Sequence, residues 1–167
     1  YQYAMKNTKP GVSERDIYSF VEGISYAKGH GPSFASIFSV NGDRLHNPFH
    51  ENIMQAGQLV LLDSGAESLE HYASDITRTF PVNGKFTDFQ KDIYSIVLNT
   101  NLTAIKTIKA GRPYRDVHFD SAKTIVNGLK EIGLMKGDTD EAVKLGAHAM
   151  FYPHGLGHML GLDVHGM

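Results

Sequence analysis

The sequence predicts an α+β domain, on three observations. Short apolar runs bounded by turn residues read as strands and fall in neighbouring pairs. Two long stretches keep a helical period. Strands and helices are interspersed without the regular strand–helix–strand rhythm of a doubly wound sheet. The 167 residues suffice for one domain with a real core.

The first helix opens at Ser13-Glu14-Arg15-Asp16, with Ser13 as its N-cap. Ile17, Phe20, Val21 and Ile24 give it an apolar face, and the stretch from Gly29 to Pro32 ends it. Ser36 to Val40 is a short strand, followed by turn chemistry at Asn41-Gly42. Leu59-Val60-Leu61-Leu62, set between Gly57 and Asp63-Ser64-Gly65, reads as a buried strand. The next strand runs from Ile76 to Phe80 and closes at Pro81-Val82-Asn83-Gly84. Thr87-Asp88-Phe89-Gln90 matches a capping box, and Ile93, Ile96, Val97, Leu102, Ile105 and Ile108 continue a helical period behind it. Gly111-Arg112-Pro113 breaks that helix. A further helix is expected from about Asp116 to Gly133, and a shorter one from near Thr139 to about His148. There is no short-period repeat, low-complexity segment or internal linker.

Composition narrows the function. Sixteen Lys and Arg stand against 18 Asp and Glu, for a net charge of −2, with no basic run. That balance gives no electrostatic case for nucleic acid or for an anionic membrane surface. The absence of cysteine excludes disulfides, thiolate metal ligands and a cysteine nucleophile, and it fits the cytoplasm. No apolar stretch approaches the roughly 18 residues of a membrane span. Tyr1-Gln2-Tyr3-Ala4-Met5-Lys6 lacks the pattern of a signal peptide, and without an initiator Met it reads as a cut edge.

Two aspartates stand at strand ends. Asp63 follows four apolar residues, and Asp75 precedes Ile76-Thr77-Arg78-Thr79-Phe80. A carboxylate at the edge of a buried strand costs several kcal/mol if unpaired, so it is protonated, ion-paired or bound to a cation. The period of two puts Asp75 on the face of Thr77 and Thr79, opposite Ile76 and Phe80, so that one face looks into a site while the other packs. Asp-Ser-Gly is also a common turn sequence, and on these residues alone a hairpin with turn aspartates fits as well. Twelve residues apart, the two aspartates suit adjacent antiparallel strands and can converge.

Four of the nine histidines, His148, His154, His158 and His165, lie in the last twenty residues. Any one of them alone reads as a surface or satisfied buried imidazole, but the clustering among glycines points elsewhere. His154-Gly155-Leu156-Gly157-His158 has no Glu, and Pro153, Gly155 and Gly157 oppose the helical zinc motif, so a glycine-rich strand or loop is expected. Two Asp with His make a hard O/N donor set suited to Mn, Co, Fe or Zn, and bridging carboxylates point to a two-metal hydrolase.

The run from Leu61 to Glu67, with Ser74-Asp75-Ile76-Thr77-Arg78-Thr79-Phe80-Pro81-Val82-Asn83-Gly84-Lys85-Phe86-Thr87, closely resembles the Xaa-Pro aminopeptidases. These belong to the pita-bread metallopeptidases, together with prolidases, creatinases and methionine aminopeptidases. His154 to His165 resembles the family's second signature, Leu45-His46 stands where the family has a substrate-side histidine, and Met5 to Glu14 resembles the opening of its catalytic domain. The resemblance covers essentially the whole chain and overrides the turn reading of the aspartates.

The resemblance implies a pita-bread fold and two divalent metal ions, Mn first, with Co or Zn as alternatives. Asp63 would chelate one ion, Asp75 would bridge both, and His158 would bind the other. His46, His154 and His165 would be catalytic and substrate-binding pocket residues that hold the peptide and help proton traffic. A metal-bridging hydroxide would attack the carbonyl before a proline in second position, with metals and a histidine stabilising the oxyanion. The substrate partner is then a peptide with proline second, and the whole protein a homo-oligomer.

Some of the pattern is not met. The two further glutamates the family requires, one bridging the metals and one serving as acid/base, do not occur, and Gly166 follows His165 where many relatives carry Asp. Residues 1–167 are therefore expected to be a partial catalytic domain, without the family's N-terminal domain and last strands. Alone they would bind metal weakly, cleave little, and leave a sheet edge and apolar surface for another chain to cover. Prolidase is the nearest rival activity. Creatinase fits the Thr-Arg-Thr-Phe-Pro-Val-Asn-Gly-Lys-Phe run less well, and a non-catalytic peptide- or protein-binding domain fits poorly with intact Asp63, Asp75 and His158.

Overall fold

In a computed structural model, which describes residues 1–166, the strand that carries Asp63 and the strand that follows Asp75 lie side by side and antiparallel. The chain forms two compact units, one of Tyr1–Phe86 with the segment from His158 onward, the other of Thr87–Gly157. Among the described residues no helix is long and apolar enough to cross a membrane.

The first unit contains helices α1 (Gln2–Asn7) and α2 (Glu14–Lys28), then strands β1 (Gly31–Pro32), β2 (Ile37–Ser39), β3 (Leu59–Ser64), β4 (Ala66–Glu67) and β5 (Ile76–Pro81). Ser13 caps α2 by accepting the Arg15 amide, as its sequence predicts. The main sheet has the order β2-β3-β5, antiparallel throughout, and β1 pairs with β4 beside it. Phe38, Met54, Val60, Leu62 and Val82 are wholly buried under it. At roughly 1.5–3 kcal/mol each, these side chains supply much of what holds the strands flat against α1 and α2.

Burial along β3 alternates, so the apolar run Leu59–Leu62 is covered fully on one face only. Ile76 corrects the expectation that it packs: it is exposed, because β5 is an edge strand whose first half has little laid over it. Gly65 has no room for a side chain, since a Cβ there would lie 1.6 Å from the Ser74 carbonyl oxygen and 2.4 Å from Ser33 Oγ. Glu14 is fully buried and its carboxyl is held by hydrogen bonds, accepting from the Val40 amide (2.7 Å), the Asn52 amide (3.1 Å) and Asn52 Nδ2 (2.9 Å). It pins the start of α2 to the loops flanking β2 and β3.

The second unit contains α3 (Asp88–Thr107), α4 (Tyr114–Glu131), α5 (Thr139–Lys144) and a 3-10 turn (Ala147–Met150). The capping box forms with both of its bonds, Thr87 to Gln90 and back. Two expectations are corrected. The covered face of α3 centres on Thr100 and Ala104, leaving Val97, Leu102 and Ile105 exposed, since a helical period fixes a stripe but not which flank a neighbour covers. The third helix ends at Lys144 instead of reaching His148, because Gly146 turns left-handed (φ 77°) and restarts the chain as the 3-10 turn. Ala122, Val126, Leu129 and Val143 form this unit's core.

Candidate metal centre

The β3–β5 register places Asp63 opposite Thr77 and Ser64 opposite Ile76, with Asp75 one residue beyond the last rung. Both carboxylates therefore stand at one end of a two-strand ribbon. Asp63 Oδ1 is buried with no hydrogen-bond partner. Burial pushes the Asp63 carboxyl up; a hydrogen bond with Thr77 opposes this, Asp75 adds to it, and nearby His46 lowers it.

Asp75 meets His158, with Oδ2 and Nε2 3.1 Å apart. His158 Nδ1 faces the Met159 carbonyl at 3.0 Å, so its other nitrogen is the one turned to the carboxylate. His165 lies against it, the ring centroids 4.4 Å apart. His46 is exposed and left-handed (φ 54°) in the loop after β2. Residues 158–166 contain no strand, so of the strand or loop expected for the Gly/His motif the loop is observed. One anchor of the loop is the Ala73 amide, which donates to the Gly161 carbonyl at 2.8 Å. Leu162 to His165, with Ser33, Glu67 and Ala73, line an open pocket of about 290 Å³.

His154 belongs to the second unit, where Tyr152 meets its ring edge-on at 4.9 Å. Tyr152 is buried, its hydroxyl has no partner, and burial pushes its phenol up to about 12. His118 lies 5.4 Å from Tyr152 and 6.2 Å from His148, ring centroid to centroid, and the Nδ1 atoms of both histidines are also buried without partners. Burial pushes His118 below the usual imidazole value, with His148 and His154 adding to the effect.

The first unit thus brings Asp63, Asp75, His46, His158 and His165 into one region. The donors suit a divalent cation: an unpartnered buried carboxylate oxygen, a second carboxylate beside it, and an imidazole already turned toward one of them. Among the described residues no three His, Asp or Glu side chains yet close around a single point.

Sequence reading missed Tyr1. Its hydroxyl donates to the Ser64 carbonyl (2.7 Å), also meets the Ile76 carbonyl, and accepts the Ser64 amide (3.2 Å). Burial pushes its phenol up to about 12, the Ser64 bond opposes this, and the charges of Asp63 and Asp75 add to it. The signal is invisible locally, because the partners stand 63 and 75 residues away.

Residues 1–167 match the model of metallopeptidase family M24. The chain is 40% identical to the Xaa-Pro aminopeptidase of Escherichia coli over 97% of its own length, and 49% identical to a probable Xaa-Pro aminopeptidase of Podospora anserina over 99%. It spans 37% and 36% of those two proteins. Among solved structures it resembles a zinc-substituted E. coli aminopeptidase P in complex with product (TM-score 0.91, 41% identity). It also resembles the Pseudomonas aeruginosa aminopeptidase PepP (TM-score 0.93, 37% identity). The alignments cover 97% and 98% of this chain and 37% of each of those chains, so the architecture is part of the pita-bread fold of aminopeptidase P.

Proposed function

The chain belongs to metallopeptidase family M24, and on that footing we propose that the protein removes the N-terminal residue from peptides with proline in second position. The observation that carries this reading is the pair of carboxylates at one ribbon end, Asp63 with an unpartnered buried oxygen and Asp75 facing His158. Asp63, Asp75 and His158 would hold two divalent ions, Mn first and Co or Zn as alternatives. Such ions supply an acidified water and polarise the scissile carbonyl.

The chain's own residues do the rest. Asp75 keeps His158 turned inward, and the Met159 carbonyl fixes which nitrogen it offers. His165, its ring tilted against that of His158, and His46, close enough to Asp63 to lower its carboxyl, bind the peptide and move protons at its reacting carbonyl. His154 would also bind the peptide, and within the second unit Tyr152 meets its ring edge-on. The protein acts in the cytoplasm, in keeping with its lack of cysteine, and as a homo-oligomer.

The test uses the full-length protein loaded with Mn, Co or Zn and offered peptides that begin Gly-Pro. Release of free glycine from peptides of three or more residues, lost in Asp63→Asn, is the expected result. Cleavage confined to the Xaa-Pro dipeptide would make it a prolidase, and no cleavage with any of these metals would defeat the reading.

A further inference from the structure

The two carboxylates stand at the end of the β3–β5 ribbon, where the ladder runs out. Asp75 lies beyond the last rung, so the direction of its side chain depends on how the Ile76 peptide is held. Ribbon ends fray, and without a cation two neighbouring carboxylates push them apart. At this rung the sheet has an extra fastening. The Tyr1 hydroxyl meets the Ser64 and Ile76 carbonyls, one from each strand, and also accepts the Ser64 amide. Tyr1 packs against the core cluster that includes Phe38, Val60 and Leu62, so the clamp is mounted on the buried core of the unit.

We propose that Tyr1 is a positioning residue, whose hydroxyl holds the terminal Ser64–Ile76 rung and thereby sets the separation of Asp63 and Asp75 for cation binding. The inference rests on the metal-site reading of these two aspartates. The clamp touches neither carboxylate. It acts through the peptide groups adjoining them, as partners of metal ligands commonly do.

The experiment titrates the metal-free full-length protein with MnCl₂ calorimetrically, well below its melting temperature, in wild type, Tyr1→Phe and Asp63→Asn. Melting of the metal-free forms is recorded in parallel. Asp63→Asn is expected to abolish one binding event. Tyr1→Phe, which keeps the ring and loses only the hydroxyl, is expected to weaken Mn affinity roughly tenfold, the lower end of what such partners contribute. Tyr1→Met keeps the apolar contact and serves if the Phe variant does not fold. Wild-type affinity in a folded hydroxyl-free variant, whatever its melting temperature, would leave Tyr1 a purely structural residue and overturn the inference alone. Unchanged Mn binding in Asp63→Asn would overturn the metal site itself, and the inference with it.

Discussion

Asp63 and Asp75 are held in one way, and His158 and His165 of the same unit in another. Asp63 sits in a six-residue strand paired on both sides, with β2 at Ile37 and β5 at Thr77, and Asp75 adjoins the same end of the β3–β5 ladder. His158 and His165 lie in an irregular segment tied by few backbone bonds, among them Ala73 to Gly161 and Gly166 to Met159, with Met159 and Leu162 largely in water. The carboxylates are placed by regular structure before any ion arrives. The imidazoles are placed by an irregular loop with few backbone ties, the less constrained of the two settings. The region thus combines a rigid carboxylate half with an adaptable imidazole half, a mixed oxygen and nitrogen set that would suit the proposed hard cation.

The largest test of this contrast removes the rigid half. Asp63→Asn or Asp75→Asn in the full-length protein is expected to lower kcat/KM for a Gly-Pro peptide by about a thousandfold, the several kcal/mol a metal supplies. Next, Glu14→Ala attacks the frame without touching the donors. It deprives the Val40 and Asn52 donors of their buried acceptor, and the expected loss is about 3 kcal/mol in urea unfolding of the metal-free protein.

His158→Ala probes the adaptable half. Mn affinity should fall by at least roughly tenfold, yet hydrogen exchange along β3 and β5 should be unchanged. Slower or faster strand exchange would show that the loop shapes the ribbon and would break the contrast.

The smallest effect lies in the second unit. Folding holds His118 below its ordinary value, so the unfolded chain binds a proton more readily than the folded one. Stability is therefore unaffected well above pH 6.5, declines as pH falls through the unfolded value near 6.5, and levels off below the folded value. His118→Gln should flatten that acid slope in pH-dependent melting.

Elements with local signals were legible. Ser13 before α2, the Thr87–Gln90 box, and the apolar run ending at Asp63 each declare a boundary within a few residues. Helix α1 and the two-residue β1–β4 pair were not, because their existence depends on partners far along the chain. For α3 the stripe was readable and its covered flank was not, since Thr100 and Ala104 are buried by what happens to lie beside them. At the candidate site the residue types Asp63, Asp75 and His158 could be picked out from strand ends and a glycine-rich motif. The Asp75–His158 contact, Thr77 beside Asp63 and the Tyr1 clamp arise only from tertiary placement.

Gly65 has a consequence for how this sequence can change over time. A site where even a methyl group would overlap a carbonyl oxygen has no neighbouring alleles, whatever the codon. In a library of all single substitutions selected for folding, position 65 should return glycine alone, while Asp63, two residues away, should accept Asn and be purged only when selection is for turnover. That split would let a mutational map separate inheritance enforced by shape from inheritance enforced by chemistry within one short stretch of chain.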